Sequence, residues 1–597
     1  LVPRSEVDPS ITWDMTLLYP SDEAFYTELE NLKTEMKAFK EKYENNLGDL
    51  EVLDEAIRSY EAIELAVYRA SHYAELPMTV DRLNPKVVEN ATAFEAVSVS
   101  YAENMSFVMT EIISLDEAFL NKFVTEKRPD LAYFVEKVIR QKKHTLSKDA
   151  EQVLSNLSSL PSFYQLYEVT KHEDMQFESF EANGKTLENS FVLYENLHEM
   201  DPDKEVRRAA AKSFYKTLNA YKNTVANEFI SQLKKEKMMA TMRGYDSVID
   251  YLLDEQDGDR ELYDRQIRML MTDLAPHMQR YIKLLAKEHG ISDMQFMDAK
   301  INLDPEFEVD MTIEESREYL KKALGILGED YKAMIDESYD KRWTDFPQNI
   351  GKSTGGFCAT VPNVAGFILL SWTGKMNEVF VLAHELGHAY HFMSTGKHQS
   401  ILNNECSLYF VEAPSTCNEV IVSNYLLKTS TDARFKRWVI SNMISRTYFH
   451  NMVTHYMEAV YQDRIYKMID NNEMLNADVL SNVKKEVMQE FFGDSLVVNE
   501  GAELTWMRQP HYYMGLYPYT YSAGLTIGTA IANQIEENPE HAKVWLDTLS
   551  KGGSMSAKDL AIHAGCDVST DEPLKQAIAY VGHLVDQLES LTAELKA

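Results

Sequence analysis

Apolar residues recur at intervals of three and four from about Asp22 to Tyr167, a spacing that places them on one face of a helix. Runs such as "YTELENLKTEMKAFKEKY" (26–43) contain no glycine or proline. The same periodicity resumes at about Leu187 and continues to about Tyr331. The pattern therefore predicts a mainly α-helical protein.

Two stretches depart from helical spacing. Short alternation and an Asn-Gly pair in "DMQFESFEANGK" (174–185) predict a small hairpin at a lobe boundary. Gly351 to Trp372 predicts two extended runs around a Pro-Asn turn. Residues 1–5, "LVPRS", resemble the remnant of an engineered protease site and are left out of the fold prediction.

Composition narrows the choice of partners. The 597 residues are 45% hydrophobic, which is ample for a large core. Lys and Arg total 60 against 94 Asp and Glu, a net charge of -34 that repels nucleic acid and anionic membrane surfaces. No apolar run approaches the roughly 20 residues of a membrane helix. We therefore expect neither nucleic acid nor a membrane as a partner.

Cysteine usage predicts the compartment. The chain has four cysteines, Cys358, Cys406, Cys417 and Cys566, and none forms a CxxC pair. Nothing in their spacing resembles a disulfide framework. A reducing compartment follows, and we predict a cytoplasmic protein.

The segment "FVLAHELGHAYHFMS" (380–394) carries the strongest chemical signal. Two histidines and an acidic residue at this spacing arise by chance only about 0.07 times in a chain of this composition. On a helix, His384 and His388 lie one turn apart, so both imidazoles can bind one ion, for which zinc is the natural choice. Glu385 points about 100° away and can reach a water at the metal. Gly387 allows another backbone to approach closely.

Two histidines leave a catalytic zinc site short of its usual third protein ligand. His391 lies about 10.5 Å along the helix from His384, too far to share one ion. Downstream, Glu405, Glu412 and Glu419 are carboxylate candidates, and Glu412 follows an apolar run at the start of a predicted helix. We predict Glu412 as the third ligand and Glu419 as a residue that orients a ligand histidine. His391 is predicted to pack beside the site or to support it.

Two helices carry these residues. The motif helix is predicted to be capped by Asn377. A second helix is predicted from about Ala413 through Leu427, with Pro414 in its first turn.

The motifs together resemble a known family. "GGF" (355–357), "HELGHAYH" (384–391) and "FVEAPS" (410–415) occur in this order, with 23 residues between the second histidine and the later glutamate. This combination resembles the M3 metallopeptidases, and within them oligoendopeptidase F. "ITWDMTLLYPSDEAFYTELENL" (11–32) and "LENSFVLYENLHEMDPDKEVRRAAAKSF" (187–214) resemble further parts of that subfamily.

The resemblance implies a fold and a domain plan. It implies a mainly α, two-lobed protein that encloses a deep substrate channel, with a small β-sheet beside the zinc-binding helix. Residues 6–185 are then an N-terminal helical lobe of the oligopeptidase F type, and residues 186–597 are the M3 catalytic domain.

The resemblance also implies an activity. One zinc ion per chain would be held by His384, His388 and Glu412, with Glu385 as the general base that activates a zinc-bound water. Enzymes of this family cut internal bonds of short peptides and spare folded proteins. Short peptides are therefore the expected partners, and the oligomeric state stays open.

A family segment that binds the substrate carbonyl has a counterpart in "QPHYYMGLYPYTYSAGL" (509–525). His511 matches the family histidine, whereas Tyr517, Tyr519 and Tyr521 compete for the role of the family tyrosine. These side chains would stabilise the oxyanion.

An extended run beside the active-site helix would let a peptide add as a further strand. Its candidates are Gly355 and Gly356 in the "GGF" motif and Phe367 and Leu369 in "FILLSW".

Two rival functions stay open at this point. A helical dicarboxypeptidase has similar zinc spacing and would remove residues from a chain end. A peptide-binding, chaperone-like protein with a structural zinc is the rival from another class, although a structural site would not need Glu385.

Overall fold

Helices account for most of the computed structural model, which describes residues 2–157, 160–353 and 355–597. The predicted mainly α class is confirmed. The first helices are α1 (Asp22–Tyr43), α2 (Leu50–Asp81), α3 (Pro85–Met105), α4 (Phe107–Ser114), α5 (Glu117–Glu126), α6 (Ala132–Lys142), α7 (Lys148–Leu157), α8 (Phe163–Val169) and α9 (Phe191–Asn196).

The remaining α-helices form the larger part of the molecule. They are α10 (Lys204–Met242), α11 (Val248–Glu255), α12 (Arg260–Met269), α13 (Ala275–Glu288), α14 (Ile313–Ala323), α15 (Glu329–Asp340), α16 (Asn377–His398), α17 (Leu408–Val411), α18 (Ala413–Thr429), α19 (Ala433–Asn442), α20 (His455–Asp470), α21 (Ala477–Phe492), α22 (Tyr517–Glu537), α23 (His541–Leu549), α24 (Ala557–His563) and α25 (Glu572–Glu594).

The first helices follow the predicted periodicity. In α1, Phe25, Leu29, Leu32 and Met36 are buried at intervals of three and four. Ser21 caps this helix, because its side chain accepts a hydrogen bond from a backbone N–H of the first turn. Helices α1, α2 and α3 pack against one another, and α2 also contacts the sheet beside α16.

Shorter helical segments connect the long helices. Single 3₁₀ turns occur at Arg4–Glu6, Pro9–Ile11, Met15–Leu17, Pro129–Leu131, His198–Met200, Phe296–Asp298, Leu324–Leu327, Ile401–Asn403, Ala502–Arg508 and Pro510–Tyr513. Four π-helical segments occur at Thr170–Asp174, Leu270–Leu274, Met443–Tyr448 and His450–Thr454. The last two follow each other directly after α19, and π-helical turns are frequent at functional sites.

Two small sheets accompany the helices. Strands β1 (Phe180–Ala182) and β2 (Lys185–Leu187) form the predicted antiparallel hairpin. Its Asn-Gly turn, Asn183 and Gly184, has positive φ at both positions, as a tight hairpin turn requires.

The second sheet contains β3 (Thr344–Asp345), β4 (Phe357–Val361) and β5 (Ala365–Leu369), in the order β3-β5-β4. Strands β4 and β5 both pack on α16, so the predicted sheet beside the motif helix is confirmed. The prediction that the run containing Phe367 and Leu369 offers a free edge is wrong. That run is β5, whose hydrogen-bonding groups are shared between β3 and β4, and the edge belongs to β4.

The excluded N-terminal residues also take part in the fold. Arg4 donates to the buried Asp345 at 2.9 Å and to Asn349 at 3.0 Å, next to the three-stranded sheet. Within the described ranges, no helix has the length and hydropathy needed to cross a membrane.

Candidate active site

Helices α16 and α18 bring the predicted metal ligands together. His384 and His388 lie one turn apart on α16, and Glu412 occupies the junction between α17 and α18. Their atoms converge, because the Glu412 Oε2 atom is 3.3 Å from Nε2 of His384 and 3.3 Å from Nε2 of His388. Pro414 lies in the first turn of α18, as predicted. Helix α16 begins at Asn377 itself, so the predicted cap is wrong: Met376 precedes the helix and makes no side-chain cap bond.

The three side chains fit a tetrahedral metal ion. One ligand atom from each lies within 4.8 Å of the other two. Ligand atoms about 2.0–2.1 Å from a tetrahedral ion are roughly 3.3 Å apart, which matches both separations measured at Glu412. Two imidazoles and one carboxylate also leave a fourth position open, as in catalytic sites.

Charge favours the deprotonated carboxylate. Burial disfavours the charged form of Glu412, but His388 and His384 outweigh burial and hold its pKa well below the usual range. Burial also disfavours the charged form of His384, which lowers its pKa. Glu412 and Glu419 outweigh burial and raise the pKa of His384 well above the usual value. Glu412 is therefore a carboxylate, the form in which it can bind a cation.

Glu419 orients the first histidine, as its sequence position predicted. His384 Nδ1 is 2.7 Å from Oε1 of Glu419, which leaves Nε2 facing Glu412. The other oxygen of Glu419 accepts a hydrogen bond from the Thr447 hydroxyl. Such carboxylate partners fix the ring and the tautomer of a metal-binding histidine. Thr447 lies on a π-helical segment and had no signal in the sequence.

Glu385 lies beside the three predicted metal ligands but is not one of them. It lines the same cavity as the two histidines and is only 5% exposed. Burial is the largest influence on its carboxyl group and raises the pKa of Glu385. A carboxylate with a raised pKa is a stronger base, which suits a group that takes a proton from water.

Glycines let three helices meet at the site. A Cβ on Gly387 would lie 2.6 Å from the Pro414 carbonyl oxygen, so the predicted close backbone approach is seen in the structure. On α22, a Cβ at Gly524 would lie 2.7 Å from the Glu412 Cβ. A Cβ at Gly528, one turn later, would lie 2.4 Å from the Thr416 Oγ1 atom. Helix α18 is thus held between α16 and α22 at contacts that no larger residue allows.

His391 and Glu405 lie outside the group. His391 is 1% exposed, stacks on Phe392 with ring centroids 4.8 Å apart, and faces the Phe410 ring edge at 5.9 Å. Burial lowers the pKa of His391 to about 3, so the ring is neutral. It therefore packs in the core, one of its two predicted roles. Glu405 is exposed.

Helix α22 separates the three tyrosine candidates. Tyr517 and Tyr521 lie four residues apart, and both line the cavity with ring centroids 5.2 Å apart. Tyr519 faces away: it is 1% exposed and its ring packs edge-on against Tyr263 at 5.0 Å. The structure therefore brings Tyr517 and Tyr521 to the site, and it does not bring Tyr519 there.

His511 lies behind the two tyrosines. Its ring centroid is 5.1 Å from Tyr517 and 5.6 Å from Tyr521, and 5.1 Å from His455 on α20. Burial, with a contribution from His455, lowers the pKa of His511 to about 4. The imidazole is therefore neutral near pH 7.

A buried pair on α20 supports this cluster. His455 Nδ1 lies 2.8 Å from a Glu458 oxygen, and the His455 ring stacks on Tyr521 at 4.1 Å. Burial opposes the charge on Glu458, but His455, which also hydrogen-bonds to it, and Lys484 lower its pKa to about 2. No signal in the sequence points to His455 or Glu458, because both lie far along the chain from the motifs and belong to no local pattern.

The cavity has a volume of about 820 Å³ and extends from the histidines to Met200 and Lys300. Gly356 and Phe357 line it at the sheet, and a Cβ on Gly356 would lie 3.5 Å from a Glu385 oxygen. Gly355 adjoins them with a φ of 87°. Of the four predicted strand residues, the glycines reach the cavity end of the sheet, whereas Phe367 and Leu369 are fully buried in β5.

Comparison with known proteins identifies the family. The model described as "Peptidase family M3" matches residues 197–580. The chain belongs to peptidase family M3. A second model, "Oligopeptidase F", matches residues 111–177. The predicted resemblance to oligoendopeptidase F is confirmed, and the chain is a metalloendopeptidase of that family, which implies a metal at a site such as His384, His388 and Glu412.

Curated relatives match over nearly their whole length. Oligopeptidase PepF of Bacillus subtilis is 28% identical, with 99% of this chain and 89% of the relative aligned. The oligoendopeptidase F homolog of Lactococcus lactis is 25% identical, with 98% of each chain aligned.

Solved structures share the M3 fold. A structure from Chlamydophila abortus gives a TM-score of 0.87 at 22% identity, with 99% of this chain and 100% of that chain covered. Oligoendopeptidase-F from Enterococcus faecium gives 0.73 at 20% identity, with coverages of 96% and 99%. At such identities the likeness concerns the fold, and it confirms the two-lobed helical architecture.

Proposed function

We propose that this chain is a zinc-dependent oligoendopeptidase that hydrolyses internal bonds of short peptides, with Glu385 as the general base. The observation that carries the proposal is the convergence of His384, His388 and Glu412 on one point of the cavity wall, with Glu385 beside them.

The donor set favours zinc. Two imidazole nitrogens and one carboxylate oxygen, with an open fourth position, are typical of zinc hydrolases. A bound zinc ion would act as a Lewis acid towards a peptide carbonyl and towards water. Glu419 and Thr447 would keep the Nε2 atom of His384 directed at the ion.

Glu385 would move the proton. Its buried carboxylate takes a proton from the attacking water as the C–O bond forms. It then delivers that proton to the amine nitrogen as the C–N bond breaks. Burial raises the pKa of Glu385, which makes its carboxylate a stronger base for the first of these steps.

Tyr517 and Tyr521 would stabilise the oxyanion. Burial raises the pKa of both phenols, so each keeps its proton and can donate a hydrogen bond near pH 7. Donors of this kind typically contribute about 10² to 10³ in rate. His511 and His455 hold the tyrosine rings in place through stacked and tilted contacts.

The cavity and the sheet would select short peptides. A space of about 820 Å³ admits an extended peptide and excludes a folded domain. Strand β4 is one of the two edge strands of its sheet, and Phe357 and Cys358 at its start line the cavity. A peptide could therefore add to β4 through backbone hydrogen bonds, which tolerate many side chains.

The proposal is tested with internally quenched peptides of seven to nine residues. We expect Glu385→Gln to lower kcat by at least about 10²-fold at equal zinc occupancy, measured by metal analysis of the purified proteins. Glu405→Gln removes an exposed carboxylate from the neighbouring segment and serves as the matched control. Equal cleavage by wild type and Glu385→Gln would refute the role of Glu385.

Blocked peptides distinguish the rival functions. Cleavage of a peptide with an acetylated amino end and an amidated carboxyl end requires an endopeptidase. Cleavage of unblocked peptides alone would indicate an exopeptidase, and tight binding without cleavage would indicate a peptide-binding protein.

A further inference from the structure

Arg446 lies on the cavity wall, where no described residue pairs with its side chain. It belongs to the π-helical segment Met443–Tyr448, next to Thr447, and its side chain lines the cavity. Among the described residues, no hydrogen bond or ion pair engages its guanidinium group. The residue is exposed, because its side chain faces the open cavity. Partial shielding from water by the cavity wall lowers the pKa of Arg446, and the charge of Glu378 raises it.

Other basic residues around the cavity are neutralised. Lys300, also on the wall, is 2.9 Å from a Glu199 carboxylate. Arg434 and Arg437, on the helix before Arg446, both bind Asp304, at 2.8 and 2.7 Å. In a chain with 94 acidic and 60 basic residues, partners for a cation are abundant. Unlike these three residues, Arg446 has no anionic partner among the described residues, and its charge faces the space that a ligand would occupy.

Glu378 and the guanidinium group of Arg446 form no ion pair or hydrogen bond in the part of the chain that the structure describes. Its carboxylate accepts hydrogen bonds from the hydroxyl and the backbone N–H of Thr373, the latter at 3.4 Å. It lies in the first turn of α16, and its charge acts on Arg446.

Two further features favour an anion where α16 meets the cavity. The N-terminus of this 22-residue helix carries a partial positive charge. Asn377, the first residue of the helix, lines the cavity, and its Oδ1 atom is buried with no hydrogen-bond partner in the described residues. Rotation of this amide by 180° would present its NH₂ group instead. An arginine, a helix N-terminus and a free amide form a site for a carboxylate.

We propose that Arg446 binds a carboxylate group of the peptide substrate, at the end of the cavity where α16 begins. The guanidinium group suits this ligand, since its planar fork can donate two parallel hydrogen bonds to one carboxylate. The inference rests on the proposed function, because it assigns a substrate class to the same cavity. The carboxylate is either the C-terminal group of the peptide or an Asp or Glu side chain.

The geometry places this carboxylate along the peptide. Glu378 precedes His384 by six residues, or about 9 Å of helix rise. An extended peptide advances about 3.3 Å per residue, so 9 Å corresponds to about three residues. We therefore expect the recognised carboxylate about three residues from the bond that is cut.

Four quenched peptides of one parent sequence test the proposal. Two differ only in a free or an amidated C-terminus placed three residues after the cut, and two differ only in Glu or Gln three residues from it. We expect wild type to prefer one acidic peptide by about 10- to 100-fold in kcat/KM, the range for a charge-assisted hydrogen bond. A preference within the first pair identifies the C-terminal carboxylate, and one within the second pair identifies a side chain.

Arg446→Gln is expected to abolish that preference, so that the acidic and the neutral peptide of the pair are cleaved with equal kcat/KM. Lys436→Gln is the matched control, because it removes one positive charge from α19, and Lys436 does not line the cavity. The control is expected to keep the wild-type preference. Equal cleavage of all four peptides by wild type, or a preference that survives in Arg446→Gln, would overturn the proposal.

Binding separates this inference from the proposed function. Calorimetry gives the dissociation constants of the same peptides for the Glu385→Gln variant and for the double variant Glu385→Gln, Arg446→Gln. These measurements do not depend on turnover. A carboxylate preference that disappears with Arg446 would sustain the binding site, whereas a wild type that cleaves none of these peptides would refute the peptidase mechanism and leave the binding site standing. Equal binding of acidic and neutral peptides would refute the binding site, even if hydrolysis is confirmed.

Discussion

Gly387 lies between the two proposed metal-binding histidines, at the point where α16 touches the start of α18. A Cβ at this position would be 2.6 Å from the carbonyl oxygen of Pro414 and 2.7 Å from the Cα atom of Ser415. Both are backbone atoms, so no side-chain rotation relieves the contact. We predict that Gly387→Ala pushes α18 away from α16 and weakens metal binding.

The structure sets the size of the displacement. Ordinary contacts begin at 3.4 Å, so the backbone must give way by about 0.8 Å, the difference between 3.4 and 2.6 Å. Glu412 lies two residues before Pro414 and moves with it. Metal–ligand distances tolerate only about 0.2 Å. We therefore expect zinc affinity to fall at least about tenfold.

Stability changes in the same direction. Overpacking of a close contact costs about 1–3 kcal/mol. The better helix propensity of alanine offsets at most about 1 kcal/mol of this. Any substitution that creates such a close contact is therefore expected to lower stability. A control variant is needed to isolate the effect on metal binding.

Gly396→Ala is that control. Gly396 lies on the same helix, and its Cβ would meet the Pro362 Cβ at 2.6 Å, an equally close contact. It is eight residues beyond His388, about 12 Å of helix rise from the proposed ligands. We expect both variants to unfold at a lower temperature than wild type, but only Gly387→Ala to lose zinc affinity, measured by competition with a chelating indicator. If both variants bind zinc equally tightly, the glycine contact does not position Glu412.

Two further predictions concern other parts of the molecule. Tyr521→Phe is expected to lower kcat by about 10- to 10³-fold because it removes a hydrogen-bond donor that faces the cavity. Tyr519 is buried against Tyr263, so Tyr519→Phe is expected to change kcat by less than about twofold. Equal effects of the two substitutions would contradict the assignment of Tyr521 to the oxyanion. Burial raises the pKa of Glu236 from 4.5 to about 7. Between those pH values the folded protein keeps a proton that the unfolded chain loses, so stability falls as pH rises, by about 3 kcal/mol in total. Glu236→Gln is expected to melt at a higher temperature than wild type at pH 8 and at a similar temperature at pH 4.5, and a pH-independent difference would contradict burial as the cause.

Local geometry explains which site residues could be predicted from the sequence. The i, i+4 spacing of His384 and His388 places both imidazoles on one helical face, and the structure brings them together. Glu412 could be predicted as the third ligand because it follows an apolar run and stands at the start of a predicted helix. Tyr519 could have been set aside by the same reasoning, because residues two apart on a helix point in opposite directions.

Long-range contacts explain what could not be predicted. Thr447 and Glu458 reach the site from the stretch that follows α19, part of which is π-helical, and no pattern in the sequence predicts π-helical turns. The order of strands β3, β5 and β4 depends on pairing between distant segments, so the edge was assigned to the wrong strand. Arg446 looks ordinary in the sequence, since only the folded structure shows that it has no partner.

The two sides of the cavity differ in how they can change. Helices α16, α18 and α22 meet at Gly387 and Gly524 through contacts that exclude larger side chains, so the proposed ligands and tyrosines form one rigid unit. The opposite wall comes from the π-helical stretch, which contacts that unit at Glu419 through Thr447. We therefore predict that substitution at Arg446 alters which peptides bind without moving the proposed metal ligands. The proposed roles assign the chemistry, which needs fixed distances, and peptide selection, which does not, to different walls of the cavity.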